Sequence, residues 1–146
     1  LQETTVAELR ADLARQRMDD LYRGRGERFQ LIVLVDGESA GWITLAILSW
    51  EHGLAEIGYA LAGEYQGMRL MAEALGQLLP EIFVAVGIER LEARCSVDNV
   101  RSQSVLERFG FVQEGRLRSY FSLHGARIDN FLYALLRDDF LQRPAE

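Results

Sequence analysis

The chain lacks most of the features that would place it in a specialised class. It has 1 cysteine in 146 residues, Cys95, which excludes an intrachain disulfide framework and a cysteine-built zinc site. Cys95 sits in LEARCSV, an apolar run flanked by arginine, and reads as a small buried hydrophobe rather than a reactive thiol. No apolar run reaches the ~18 residues that a bilayer span requires. The N-terminus lacks a secretory-signal pattern, so a cytoplasmic location without a membrane partner is the default expectation. A basic excess is also missing. The formal net charge is −6, whereas nucleic-acid binders carry a basic face; an acidic balance suits a cationic partner such as an amine. The 2 histidines, His52 and His124, each adjoin a glycine turn and have no ligand partner at useful spacing, so no metal is expected. Repeats, low-complexity stretches and linkers are absent, and the length suits a single domain over residues 1–146.

Hydrophobic periodicity carries most of what is present. Thr5 to Tyr22 reads as a helix, with Val6, Leu9, Leu13 and Leu21 near one face and Thr4 or Thr5 as its cap. RGRGE breaks the pattern. Phe29–Val35 is a strand ending at Asp36-Gly37, a strong hairpin signal. Its partner is Gly41–Trp50, and Glu51-His52-Gly53 turns the chain into a third strand, Leu54–Leu61. From Met71 to Val86 apolar residues recur at helical spacing. Pro80 within that run removes an N–H and crowds the carbonyl of Gly76, so a kink rather than a stop is expected. Arg90–Val97 is a further strand. Asp98-Asn99 caps a short helix that closes at Gly110. Two strands, Phe111–Leu123 and Ile128–Leu136, precede a polar tail. The strand–helix–strand unit from Leu54 to Val97 calls for a parallel pair with a right-handed crossover. The fold class is therefore α/β (α+β), a mixed, mostly antiparallel sheet flanked by helices.

Two segments carry chemistry. Strand AEIGYAL runs through AGEYQG into a helix, where free N–H groups and the macrodipole favour an anion such as a pyrophosphate. A glycine-containing loop before a helix is common, so this feature alone is weak. In SVDNVRSQSVLERFGF, Asn99 and Ser102 stand one turn apart at a helix start. Asparagine there is ordinarily just a cap.

Taken together, EIGYALAGEYQGMRLMAEAL, NVRSQSVLERFGFVQEGRLRSY and DNFLYALLRDDF resemble, in order and spacing, the GNAT superfamily of acyl-CoA-dependent N-acetyltransferases. The branch most alike is that of ribosomal-protein N-terminal acetyltransferases, the RimJ/RimL type. The resemblance spans roughly residues 30 to 140 and implies a role for each matched position. The strand from Glu56 to Leu61, including Ile57, Tyr59 and Leu61, would pair through its backbone with the pantetheine arm. The turn Gln66, Gly67, Met68, Arg69, Leu70 and Met71 would hold the CoA pyrophosphate on N–H groups. Asn99 would bind pantetheine, Ser102 would lie near the thioester sulfur, and Glu56 would accept the amine proton directly or through water. That chemistry needs a base, since a protonated amine cannot attack a thioester, and a partly apolar strand would raise the carboxyl toward a useful range. A main-chain N–H on the third strand would stabilise the oxyanion. Trp50, Glu51 and Tyr120, with Phe121 and Asp129, fall where the fold's acceptor cleft lies.

The resemblance implies acetyl-CoA as co-substrate and a primary amine as acceptor: a peptide N-terminus first, with polyamines, amino acids and drug amines open. Three departures accompany it. Arg69 stands at the family's central glycine of the phosphate loop. Its side chain can point outward while its N–H serves, which leaves a retained but altered site; the alternative is a non-catalytic acetyltransferase-like binding module with a weakened CoA site. The family's first strand and helix have no counterpart before Thr5, which predicts Phe29–Val35 as a sheet edge that a second subunit, as in a homodimer, would cover. Leu106 replaces the tyrosine that many superfamily members place there, as the RimJ/RimL-type branch also does.

Overall fold

The computed structural model describes residues 7–11, 18–66 and 69–143. The elements in chain order are β1 (Glu8–Ala11), α1 (Met18–Tyr22), β2 (Arg28–Val35), β3 (Glu38–Ser49), β4 (Leu54–Leu61), α2 (Leu70–Pro80), β5 (Arg90–Ser96), α3 (Val100–Arg108), β6 (Val112–Leu123), β7 (Ala126–Leu136) and α4 (Arg137–Leu141). Seven strands form one sheet in the order β1-β2-β3-β4-β5-β7-β6. Among the described residues only β4 and β5 run parallel; the other five neighbouring pairs are antiparallel.

The meander β2–β3–β4 follows from strict alternation. On β2, Phe29, Leu31 and Val33 are buried, while Arg28, Gln30 and Ile32 point the other way. The β2–β3 turn takes φ 52° at Asp36 and 82° at Gly37, both positive, as a two-residue turn matched to strand twist requires. Close approach fixes Gly41: a Cβ there would lie 2.1 Å from the Ala60 carbonyl oxygen across the β3–β4 ladder.

The periodic segment after β4 is a helix, and Pro80 does not stop it. Leu70, Met71, Ala74, Leu75, Leu78 and Leu79 bury one face of α2. From Glu81 to Val86 the chain widens into a π-helical turn. Proline's missing N–H and its crowding of the Gly76 carbonyl favour such a change of pitch over continued α-helix. Gly87, at φ 88°, closes the segment with its N–H on Ile82 O at 3.1 Å. Helix α3 ends in a Schellman arrangement, with Phe111 N–H on Leu106 O (3.0 Å) and Gly110 N–H on Glu107 O (3.0 Å).

One apolar core joins the alternate residues of β2, β3, β4, β5 and β7 to Leu21, the buried face of α2, the π turn and Leu106. All these strand residues lie on a single face of the sheet. The opposite face carries Arg28, Trp42, Thr44, Glu56 and Arg94.

Two expectations are corrected. The segment read as a helix from Thr5 to Tyr22 is a strand at Glu8–Ala11 and a helix only at Met18–Tyr22; residues 1–6 and 12–17, with Thr4, Thr5, Val6 and Leu13, lie outside the described residues. Ladder bonding to an open sheet edge outweighs local helical spacing there: Glu8 to Ala11 pair with Leu34 to Leu31. Consequently Phe29–Val35 is an interior strand, and the reason for expecting a second subunit on it is gone. The tail after Leu136 also forms a short helix, α4, held by Phe140 stacked on Phe83 with centroids 5.0 Å apart. Among the described residues no helix is long and apolar enough to cross a membrane.

Candidate active site

The parallel pair β4–β5 is where the sheet opens. Its register runs from Leu54↔Arg90 to Ile57↔Ala93 and stops. Both strands continue, β4 paired on its outer side to β3 as far as Leu61 and β5 to β7 as far as Ser96. Beyond Ile57 and Ala93 the inner edges therefore have no strand partner among the described residues. Their N–H and C=O groups are free to pair with an extended chain, as any open strand edge is. Ile57 is 2 % exposed and faces the core, so it would contribute main chain only. Tyr59 and Leu61 are half-buried on the same face.

Two helix starts frame this opening, because α2 follows β4 and α3 follows β5. Before α2, a short 3-10 turn spans Gly63–Tyr65. Gln66 Nε2 donates to Leu61 O (3.2 Å), and its Oε1 accepts from Arg101 Nη1 on α3 (3.4 Å), a polar bridge between the two helix starts. Gly67 and Met68 lie outside the described residues. Arg69 has φ 62° and ψ 11°, a left-handed conformation, and is exposed. The backbone thus has, at the position where the resemblance implies a glycine, the conformation that glycine adopts most readily, and the arginine side chain lies at the surface. Leu70 and Met71 are 0 % and 5 % exposed. Their side chains are core, and what they offer a ligand is first-turn N–H groups without intrahelical partners. These features fit a diphosphate held by main-chain donors.

At the start of α3, Asn99 Oδ1 accepts from Ser102 N (3.1 Å), an ordinary N-cap. The Ser102 hydroxyl lies 2.8 Å from Tyr59 OH, a bond that spans the opening from α3 to β4. Burial pushes the Tyr59 phenol up to about 12, while the Ser102 bond works the other way. A phenol near 12 stays protonated at neutral pH and is a poor acid, and either hydroxyl can donate in this bond. Protonating a thiolate of pKa ~8.5 from it would be uphill by about 5 kcal/mol, at 1.36 kcal/mol per unit. Burial likewise pushes the Cys95 thiol up, in keeping with an inert core cysteine.

Glu56 points to the opposite face, and its surroundings are not apolar. Arg94 Nη1 donates to Glu56 Oε2, and Arg94 Nη2 lies 3.5 Å from Glu92 Oε1. Arg90 continues the row, with Nε on Glu92 Oε2 (3.0 Å) and a bidentate grip on Glu114 (2.8 and 3.1 Å). The expected apolar strand environment for Glu56 is therefore corrected: an arginine fills it. The register explains why, since Glu56, Glu92 and Arg94 share one sheet face. Glu56 also borders an open depression of about 290 Å³, lined by Arg28, Trp42, Thr44, Ala46, Glu56, Ile57, Gly58, Tyr59 and Arg94.

The expected acceptor residues divide. Tyr120 lies over Arg94, 5.8 Å from ring centroid to guanidinium carbon, because a bulge between Leu117 and Phe121 lifts it across the sheet. Trp50 and Glu51 sit at the β3–β4 turn, at the end of β4 away from the opening, and do not line the depression. Trp50 Nε1 donates to Gly26 O (2.8 Å), and the ring packs on the core. Asp129 is engaged by Ser119 N (2.7 Å) and Arg116 Nε (2.8 Å), which hold its carboxyl below the usual range; it pins the bulge. Sequence reasoning missed Arg28, Trp42 and Arg94. For Arg94 a signal existed: RLEARC places a charge at every second residue, hence on one face.

Comparison with known proteins agrees with this fold. Residues 2–112 match the model of the GNAT acetyltransferase domain. The chain belongs to the GNAT acetyltransferase family. It is 32% identical to an uncharacterized N-acetyltransferase, p20, of Bacillus licheniformis over 86% of this chain and 71% of that protein. It is 32% identical to a putative ribosomal N-acetyltransferase, YdaF, of Bacillus subtilis over 74% of this chain and 59% of that one. Mycobacterium smegmatis RimJ, solved in complex with CoA-disulfide, superposes with a TM-score of 0.74 at 31% identity, over 80% of this chain and 56% of that one. The chain thus spans less than two thirds of the second and third of these relatives.

Proposed function

We propose that this acetyltransferase moves an acetyl group from acetyl-CoA to a primary amine, with a peptide N-terminus as the leading acceptor. The observation that carries the reading is the parting of β4 and β5 after Ile57 and Ala93. It leaves two free main-chain edges that end at two helix starts. Acetyl-CoA, when bound, supplies the activated acyl group as a thioester. The free β4 edge would hold the pantetheine arm, and the N–H groups around Leu70 and Met71 the diphosphate. Asn99 and the Tyr59–Ser102 pair would donate or accept beside the sulfur. Glu56 would take the proton from the incoming ammonium through Oε1, since Oε2 is engaged by Arg94. Holding the amine beside the acyl group supplies much of the remaining rate. Similarity to YdaF, a putative ribosomal N-acetyltransferase, favours a protein N-terminus over other amines.

A non-catalytic binding module is the second reading. The engaged carboxylate of Glu56 and the arginine at position 69 favour it. Release of free CoA thiol from acetyl-CoA in the presence of a panel of amine acceptors separates the two. Acetyl-CoA-dependent release above background supports transfer. Cofactor binding without release from any acceptor supports the binding module.

A further inference from the structure

The depression beside Glu56 has an uneven charge pattern. Arg28, Ala46 and Glu56 stand in register on β2, β3 and β4. They share one sheet face, and at ~4.8 Å per strand the outer two backbones are about 10 Å apart. Between them Ala46 offers only a methyl. The neighbouring Gly58 has no side chain, and a Cβ there would meet nothing within 4 Å. The floor is therefore shallow, and Trp42, 47% exposed, forms an apolar wall. At one end, Glu56 and Arg94 neutralise each other. At the other end, Arg28 is exposed and makes no ion pair or side-chain hydrogen bond among the described residues. A buried carboxylate row would welcome a polycation. Here the uncompensated charge in the depression is positive, against the chain's net charge of −6.

We infer that the acceptor is a primary amine carrying a carboxylate a few bonds away, its amine at Glu56 and its carboxylate on the Arg28 guanidinium. This inference rests on the transferase reading. Guanidinium and carboxylate match in geometry as well as charge, and the ligand's apolar stem would lie on Trp42. A polyamine would instead bring a second ammonium against Arg28. Two sources have this chemistry: a free amino acid, and a peptide N-terminus followed by acidic side chains.

The test measures kcat and KM by CoA thiol release at saturating acetyl-CoA. Acceptors are Ser-Glu-Glu, Ser-Gln-Gln and Ser-Lys-Lys peptide amides, free glutamate and spermidine. The wild type is expected to favour an acidic acceptor at least tenfold in kcat/KM over Ser-Gln-Gln; peptide and free amino acid are told apart by which of them is turned over. R28A should raise KM for the acidic acceptor about tenfold and leave kcat within twofold, with Ser-Gln-Gln unaffected. R28K should recover most of the loss, and R28E should reverse the order of Ser-Glu-Glu and Ser-Lys-Lys. Equal or better turnover of neutral or cationic amines by the wild type overturns the inference and leaves the transferase reading standing. So does an equal loss on every acceptor in R28A. No calorimetric binding of acetyl-CoA and no turnover of any acceptor overturns both.

Discussion

Replacing Arg69 with glycine separates backbone strain from side-chain charge at the start of α2. Arg69 is held at φ 62° and ψ 11°, where an L-residue costs ~1–2 kcal/mol. Glycine removes that cost, but its freer unfolded chain takes back ~0.5–1 kcal/mol. R69G is therefore expected to stabilise the fold by about 0.5–1 kcal/mol. For a chain of this size that is about 1–4 °C in Tm. R69A keeps the Cβ and the strain, so its Tm should stay within about 2 °C of the wild type, and R69P, locked near φ −65°, should lose ~3 kcal/mol or more. The side chain is exposed, and one surface charge contributes ~0.2–1 kcal/mol. R69G should therefore weaken CoA by no more than about fivefold, read by calorimetry beside the thermal scans. A fall in Tm for R69G, or loss of CoA binding with the fold intact, would refute the view that the backbone here is a preserved glycine conformation and the guanidinium a bystander.

Other outcomes follow from the same geometry. E56Q should lower kcat by ~10²–10⁴, the usual contribution of a positioned base, with CoA affinity within threefold; equal losses in both would remove its proton-accepting role. Y59F deletes the 2.8 Å bond to Ser102 and should cost ~1 kcal/mol at neutral pH. The Tyr59 phenol is raised from 10.0 to about 12, so its protonated form is favoured by folding. That contribution is complete below pH ~10 and is lost as pH rises toward 12, at up to 1.36 kcal/mol per unit. Urea midpoints between pH 8 and 11 should fall less steeply in Y59F than in the wild type; parallel curves would contradict the assignment. G41A drives a Cβ to 2.1 Å from Ala60 O and should cost more than ~2 kcal/mol by denaturant melts; a neutral effect would show that β3 and β4 separate easily at that point.

Much of the fold was legible because alternation and turn chemistry are local. Asp36-Gly37 declared the first hairpin, and Gly110 the end of α3. The N-terminal strand was not, because Leu9 with Val6 and Leu13 follows helical spacing while the deciding partner, the outer edge of β2, is twenty or more residues away. Helix α4 escaped notice for a similar reason: Phe140 finds its partner in Phe83, far along the chain. In the candidate site, Glu56, Ser102 and Asn99 were proposed from motifs confined to one strand or helix start. Arg28, Trp42 and Arg94 meet Glu56 only through sheet register across four strands, which no single segment reports. Trp50 was drawn into the acceptor set by its place after β3, but its indole N–H is spent on Gly26.

Amide hydrogen exchange with and without CoA tests the central claim most directly. Main-chain groups of Gly58 to Leu61 and the first turn of α2, Leu70 and Met71, should gain protection when CoA is added, while the β6–β7 hairpin stays unchanged. Binding of CoA with no protection along the inner edge of β4 would contradict the account.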